Sequence, residues 1–290
     1  METNKAINNK YDFVILFDVE NGNPNGDPDA GNAPRTDPDT GYGFVTDVCI
    51  KRKIRNYVDI TRGDKAGYSI LVKPDKALNT RFAEAYDALG LEKNPKSKNK
   101  DSVIRAKEYM CANYYDVRTF GMVMNTGDDY KCGIVRGPVQ INFARSISPI
   151  TPMEVAITRQ ARTTEEKKEV DETMARKNIV PYGLYRAEGY VSASLAQRIT
   201  GFSDDDLAIL WEAIINMFEE DHSAARGKMC MRGLYVFKHE AALGNFHSNK
   251  LFDKIKVTQK NADKPARCFD DYAVEVDSNM PEGVTLSSLI

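Results

Sequence analysis

The hydrophobic pattern predicts a strand and then a helix near the start of the chain. Residues 11–19 are mostly apolar, rich in β-branched and aromatic types, and are followed by a turn-forming segment, as expected of a strand. A helix is predicted over 46–58, with Thr46 or Asp47 able to cap it. Its apolar face carries Ile50, Ile54, Tyr57 and Val58 at helical spacing. Its other face is basic and carries Lys51, Arg52 and Arg55.

The pattern over about 60–135 is typical of an inserted, mainly helical subdomain. It predicts, in order, a short strand at 68–72, a helix at 79–90, an exposed basic loop at 92–101 and a helix at 102–113. Three longer strands are predicted further along, at 137–150, 182–195 and 228–240. The tail is acidic and irregular, with one or two short strands at 254–258 and 272–276.

Two segments lie between the later strands. Residues 151–181 are highly charged with little core pattern, which predicts a protruding hairpin or arm. The clearest helix covers 201–218, where Ser203 and Asp206 form a capping-box-like start. Without the insertions the order is β-α-β-β-α-β. This predicts an α+β, ferredoxin-like fold, which RNA-recognition modules share with many unrelated proteins.

The composition mainly excludes certain classes of protein and certain kinds of site. With 290 residues, 42% hydrophobic and 28% charged, the chain fits one large domain with insertions. The net charge of −2 gives no sign of a polyanion partner, so only the distribution of charge can. Five scattered cysteines without a C-x-x-C pair indicate a reducing cytoplasm and no zinc site. We see no signal peptide, no membrane span, no P-loop and no pattern that calls for a cofactor.

The segment 20–41 holds four each of Gly, Pro, Asn and Asp in 22 residues, so neither a helix nor a central strand is expected there. Asn21, Asn23, Asn25 and Gly26 imitate part of a calcium loop, but Asn32 stands where that loop needs a glutamate. Three aspartates offer a second interpretation, a metal-dependent nuclease: Asp27, Asp29 and Asp37. The glycine and asparagine amides offer a third, a backbone nest around phosphate. The fourth is a plain exposed loop.

Basic residues in two places are candidates for phosphate contacts. The first is the helix face with Lys51, Arg52 and Arg55, which follows directly on the loop and suits a polyanion as well as solvent. The second surrounds the start of the predicted strand at 228–240, with Arg226, Lys228 and Arg232. The stretch "RGLYVF" matches the RNA-recognition signature only loosely.

Several stretches together resemble a known family. They are "FDVENGNPNGDPDAGNAPRTDPDTG", "CIKRKIR", "YYDVRTFG", "IVRGPVQINFARSISPI" and "ARGKMCMRGLYVF". In this order they are similar to the backbone (RAMP superfamily) subunit of Cascade-type CRISPR interference complexes, with the type I-C branch as the nearest match. The resemblance covers nearly the whole chain and is weakest at 151–181 and in the tail.

The resemblance implies a hand-like, non-catalytic protein. Its palm would be the RNA-recognition fold, its fingers residues 60–135 and its thumb the arm at 151–181. Copies would line up as a helical filament along one CRISPR guide RNA, beside other Cascade subunits, and present the guide for pairing with target DNA. The protein would read backbone and shape while base pairing reads sequence.

The loop would then form part of the groove that holds the guide, with Arg35 as its only positive charge. The expected RNA-binding residues are Asn21, Gly22, Asn23, Asn25, Gly26, Arg35, Lys51, Arg52, Arg55, Arg226 and Lys228. Related type III subunits cleave RNA with an aspartate in the loop after the first strand. A metal-dependent endoribonuclease that uses the aspartates of 20–41 therefore stays open as the alternative.

Overall fold

The computed structural model describes residues 5–93, 100–125, 129–158 and 174–290. The predicted loop at 92–101 and the middle of the arm lie largely outside these ranges. The strands are β1 (Tyr11–Gly22), β2 (Gly26–Asp27), β3 (Ala33–Pro34), β4 (Tyr42–Val45), β5 (Gly121–Met124), β6 (Gly133–Arg136), β7 (Val139–Ile141), β8 (Ala144–Pro149), β9 (Met153–Thr158), β10 (Met174–Val191), β11 (Lys228–His239), β12 (Ile255–Gln259), β13 (Tyr272–Val276) and β14 (Val284–Ser288).

In the part of the chain that the structure describes, the α-helices are the four predicted from the sequence, near 46–58, 79–90, 102–113 and 201–218, and three short ones that were not predicted. They are α1 (Asp47–Arg62), α2 (Leu78–Ala88), α3 (Lys100–Asn113), α4 (Tyr115–Phe120), α5 (Ala193–Leu195), α6 (Asp204–Asn216) and α7 (Ser248–Phe252). Thr46 caps α1 by accepting from the amide of Cys49, and Ser203 and Asp206 form the predicted capping box of α6. Within the described residues, no helix combines the length and apolar character needed to cross a membrane.

One antiparallel sheet organises the molecule, with the strand order β14-β11-β1-β10-β8-β4. β1 lies inside this sheet, paired with β10 on one side and β11 on the other. β7 and β9 also pair with β10, at its two ends. The described part of the arm is the hairpin of β9 with the first residues of β10. The chain is thus a mixed α/β protein built on an antiparallel sheet.

Both faces of the sheet are covered, which explains why the middle of β1, residues 13–17, is apolar at every position. On one face, Phe13, Ile15 and Phe17 pack against α1 and α6. On the other, Val14 and Leu16 pack against α7 and the strands of the tail. A strand with only one covered face would alternate apolar with polar residues instead.

A second, smaller core lies within 60–135. It is formed by α2, α3, α4 and the β5–β6 hairpin, with Phe82, Tyr86 and Met110 at its centre. Asp116 in α4 joins it to α1, because its buried carboxylate accepts from Arg55 Nε at 2.9 Å. That this region forms fingers stays a prediction.

Four predicted elements need correction. Residues 68–72 form no strand, because the amides of Leu71 and Val72 donate to the carboxylate of Asp116 rather than to a neighbouring strand. β1 runs on to Gly22, into the segment where no central strand was expected, because β10 and β11 pair along it. The other two are strand boundaries: 182–195 is the end of the longer β10 followed by α5, and 137–150 is divided into β7 and β8.

Candidate nucleic-acid interface

An open groove of about 890 Å³ lies between the loop at residues 20–41, helix α1 and the segment at 70–78. Its lining gathers parts of the chain that are far apart in sequence, including Phe143 and Arg226. Six of the eleven expected RNA-binding residues line it: Asn25, Gly26, Arg35, Arg52, Arg55 and Arg226. The other five do not: Asn21, Gly22, Asn23, Lys51 and Lys228.

The loop wall, residues 20–41, is held by its own polar groups. Asn25 Oδ1 accepts from both the amide and the hydroxyl of Thr46 at 3.0 Å, which ties the loop to the start of α1. Asn23 is buried, and its side-chain amide donates to the carbonyl of Asn32 at 2.7 Å. Its backbone amide donates to the carbonyl of Ala225 at 2.8 Å. These asparagines therefore shape the loop rather than face the groove as free donors.

Two glycines let other parts of the chain approach closely, although neither has a positive φ. A Cβ on Gly22 would lie 1.8 Å from the carbonyl oxygen of Arg226, and one on Gly26 would lie 2.0 Å from Oδ1 of Asn32. The left-handed backbone of this loop is found instead at Asn21 (φ 51°) and Asn32 (φ 61°), and asparagine tolerates it. Gly22 thus allows β1 to meet the segment before β11.

The backbone amides of the loop are largely used within the protein. Those of Asn32, Arg35 and Gly41 donate to loop carbonyls, and that of Asp29 donates to the Asp27 carboxylate. A nest around phosphate needs amides that point together at an outside anion. The described hydrogen bonds leave that task to the cationic side chains.

The helix wall, α1, carries cations of two kinds. Arg55 is tied to buried Asp116, and Lys51 pairs with Asp47 at 2.8 Å, one turn away. Arg52 is exposed and has no carboxylate within ion-pair distance anywhere in the described ranges. The basic face expected from the sequence therefore offers one open cation to a ligand, not three.

Lys53 is a cation that the sequence pattern did not single out. It is buried and contacts the carboxylate of Asp221, which also pairs with Arg226 at 2.8 Å. One carboxylate thus serves two cations, which leaves a positive excess beside Arg52. Burial lowers the pKa of the Lys53 ammonium, against the opposing effect of Asp221.

The candidate site residues outside the groove have other places. Lys228 lies 3.5 Å from Glu20 across β1 and β11, and Asn21 is exposed near the end of β1. Arg232 pairs with Asp18 at 2.7 Å in the middle of the sheet. RNA binding by Lys228 and Asn21 stays a prediction, and it would require a ligand that extends beyond the groove. Arg232 was not among the expected RNA-binding residues.

The three aspartates considered for catalysis do not converge. Asp27 pairs with Arg35 at 3.3 Å, and Asp29 is exposed. Asp37 accepts from the amide of Asp39 at 3.1 Å, and a hydrogen bond from Thr40 lowers the pKa of its carboxyl. Across the described residues, no three His, Cys, Asp or Glu side chains come close enough together to hold a metal ion. The calcium-loop interpretation also loses Asn25, whose side-chain oxygen already accepts from the amide and the hydroxyl of Thr46.

Sequence reasoning missed Phe143, which projects into the groove and is 53% exposed. It also missed Asp116 and Asp221, the carboxylates that hold the cations of α1. A signal for Phe143 exists in "VQINFARSI". Strict alternation that places Val139, Ile141 and Phe143 in the core would also bury Arg145.

Comparisons with known proteins agree with this architecture. The family pattern described as "CRISPR-associated protein Cas7" matches residues 9–277. A curated relative of that name from Haloferax volcanii is 24% identical, over 92% of this chain and 81% of its own length. A chain of a solved structure described as "CRISPR RNA-guided surveillance complex, pre-nicking" matches with a TM-score of 0.50 and 18% identity, over 79% of this chain and 75% of its own. A second, "CRISPR RNA-guided surveillance complex", matches at 0.46 and 15%, over 79% and 68%.

The first of these structures shares the mixed α/β fold with its large antiparallel sheet. Because the family pattern spans most of the chain, the protein belongs to the Cas7 family. This confirms the family resemblance drawn from the sequence motifs. The assignment to the type I-C branch stays a prediction.

Proposed function

We propose that this protein is a non-catalytic, guide-RNA-binding backbone subunit of a type I-C Cascade complex in the cytoplasm. It polymerises along CRISPR RNA, contacts other Cascade subunits and presents the guide for pairing with target DNA. The observation that carries the proposal is the groove, where Arg35, Arg52 and Arg226 come together from three separate segments. Cations along a groove suit a phosphate backbone, which they bind without reading sequence.

The strand order supports a ferredoxin-like palm. Within the β-α-β-β-α-β core, β1, β8, β10 and β11 are the first to fourth strands, and their spatial order is fourth, first, third, second. All their pairings are antiparallel. α1 follows the first strand and α6 the third, and both pack on the same face of the sheet. This is the arrangement expected of an RNA-recognition palm.

The positions of two additions to the sheet support the proposal of fingers at 60–135 and a thumb at 151–181. Residues 60–135 form their own core beside α1, and the β9–β10 hairpin extends from the end of β10 nearest the groove. On the described part of the arm, Lys177 donates to the carbonyl of Ala224 and Asn178 to the carbonyl of Gly31. The arm therefore begins beside the loop wall, from where it can reach over a bound strand.

A metal-dependent endoribonuclease is the alternative. The internal pairing of Asp27 and the separation of the loop aspartates favour binding without cleavage. We expect purified protein to shift single-stranded RNA and leave it intact in magnesium or manganese. The variant with Asp27, Asp29 and Asp37 all changed to Asn should bind as well or slightly better, because it removes negative charge near the groove. Cleavage by the wild type that this variant lacks would establish the nuclease.

The groove itself is tested by salt dependence. Arg52→Ala with Arg226→Ala should weaken binding equally for all RNA sequences and reduce the salt slope by about 0.7 for each lost phosphate contact. Arg198→Ala is the matched control, since that arginine is exposed, lies outside the groove and is not among the expected RNA-binding residues. Unchanged affinity and slope in the double variant would refute this groove as the RNA site.

The arm is tested by assembly. Deleting residues 153–179 and joining the ends with a short Gly/Ser link removes β9 and the start of β10 but leaves β10 from Val180 in the sheet. The shortened protein should fold as a monomer and fail to form filaments on RNA. Filaments of normal length would refute the thumb assignment.

A further inference from the structure

We infer that Phe143 is a base-stacking platform that contacts one base of the strand held in the groove. The inference rests on the proposed function and adds the chemical feature of the ligand that the groove selects. Single-stranded nucleic acids are commonly held by cations along the backbone and by aromatic rings against the bases. The structure supplies both in one place.

The first argument is the register of the sheet. Ile141 in β7 pairs with Gly189 of β10, and Arg145 in β8 pairs with Arg186. Between these pairs, residues 142–144 on one strand lie opposite residues 187–188 on the other. One extra residue in one strand is a β-bulge, and bulges re-aim side chains.

The bulge changes the direction of Phe143. Ile141 and Ala144 are buried, while the two residues between them, Asn142 and Phe143, are both exposed. In an unbroken strand, Phe143 would share a face with Ile141 and enter the core. The extra residue instead places a large apolar ring in solvent, at the edge of the groove.

The second argument is the support of the ring. Phe143 stacks on Phe44 with ring centroids 6.2 Å apart and an angle of 4° between the planes. Phe44 is itself only partly exposed and belongs to β4, directly before α1. The ring of Phe44 thus lies parallel to and offset from that of Phe143, and this contact limits the orientations of the Phe143 ring before any ligand arrives. A pre-oriented platform loses less entropy on binding.

The third argument is what surrounds the ring. The same groove contains the open cation Arg52 and the exposed apolar side chains of Val48 and Val72. An apolar, flat surface next to positive charge matches a nucleotide, which has a flat base and an anionic phosphate. A purely apolar protein segment would leave the arginines without partners.

The test compares how tightly the protein binds a strand with bases and a strand of equal charge without them. Full-length protein would be titrated with a uridine RNA and with an abasic ribose-phosphate strand of equal length, which has the same charges and no bases. The wild type should prefer the RNA by about 5- to 150-fold, since stacking on an aromatic ring contributes about 1–3 kcal/mol per base. Phe143→Leu should lose most of this preference and bind the abasic strand as the wild type does. Phe143→Trp should keep the preference.

Two controls separate the outcomes. Leu243→Ala removes another exposed apolar side chain, 84% exposed and outside the groove, and should change nothing. A uridine RNA with one 2-aminopurine should lose fluorescence when the wild type binds and lose less with Phe143→Leu. If Phe143→Leu keeps the preference for bases and the quenching, the platform is wrong while salt-dependent RNA binding still stands. If the wild type binds neither strand, the proposed function itself fails; recovery of a bound protein segment at Phe143 would also overturn the inference.

Discussion

The two walls of the groove are built by different interactions. The loop wall is rich in Asn, Asp and Gly, and it keeps its shape through hydrogen bonds such as that between Asn25 and Thr46. The helix wall is basic and is fastened by ion pairs to other elements, as with Arg55 and Asp116. In both walls most polar groups serve the fold. The groups left for a ligand are few, and Arg52 is the clearest of them.

The largest loss of stability should come from removing Arg55, the arginine whose ion pair with Asp116 joins α1 to the second core. Arg55→Ala leaves the buried carboxylate of Asp116 without its ion-pair partner, so we expect a loss of about 3 kcal/mol in unfolding free energy. Arg52→Ala, on the same helix, should change stability by less than about 0.5 kcal/mol. Urea denaturation of the two variants measures the contrast. Equal stability would mean that the two arginines do not differ as the ion pairs imply.

A smaller loss of unfolding free energy is expected from a substitution at Gly22, where the loop wall lies against the backbone of Arg226. Gly22→Ala forces a Cβ against the carbonyl oxygen of Arg226 and should cost about 1–3 kcal/mol of unfolding free energy. Gly26→Ala meets only the side-chain end of Asn32, which can rotate, and should cost less. Thermal or urea unfolding of both variants tests this order. The reverse order would show that the loop is held more tightly at Asn32 than at Arg226.

A still smaller loss of unfolding free energy is expected from breaking the hydrogen bonds between Asn25 in the loop wall and Thr46 at the start of the helix wall. Asn25→Ala removes the acceptor for the amide and hydroxyl of Thr46, so about 1 kcal/mol of stability should be lost. Asp29→Ala is the control in the same loop, because its side chain is exposed. If both variants unfold alike in urea, the loop does not depend on its contact with α1.

The smallest effect concerns pH and the helix wall. The folded-state pKa of Lys53 is lowered from 10.5, chiefly by burial, so between these two values the unfolded state binds more protons. Unfolding free energy should therefore rise with pH in this window relative to Lys53→Met, and the difference should level off above about pH 10.5. Denaturation of both proteins from about pH 8 upward measures it. A difference that falls with pH would contradict the lowered pKa.

Local patterns predicted the elements that depend on local chemistry. The capping box at Ser203 and Asp206 and the apolar stripe of α1 were readable because both involve residues three or four positions apart. The prediction of a strand at 68–72 was wrong because two backbone amides in this segment donate to the carboxylate of Asp116, which lies more than 40 residues further along the chain. No local signal contains that contact.

For the candidate site too, the sequence predicted which residues were basic but not the tertiary contacts that decide which of them are open to a ligand. The sequence placed Arg52 and Arg226 among the candidates, and the structure brings them to one groove. It did not distinguish Arg52 from Arg55, because their carboxylate partners are decided by tertiary packing. Phe143 was hidden by a one-residue change of register, which alternation reveals only when Arg145 is also considered.

The position of β1 also has a consequence for synthesis on the ribosome. Tyr11 pairs with Val191 on one side and with Lys238 on the other. At about 5–20 residues per second, the ribosome delivers the second partner roughly 10 to 45 seconds after the first strand. Both edges of this apolar strand are unpaired until β10 has been made, and one edge stays unpaired until β11 follows, a condition that favours aggregation. The N-terminal strand is thus made early and completed last, so efficient production of this protein should depend on chaperones that shield nascent chains.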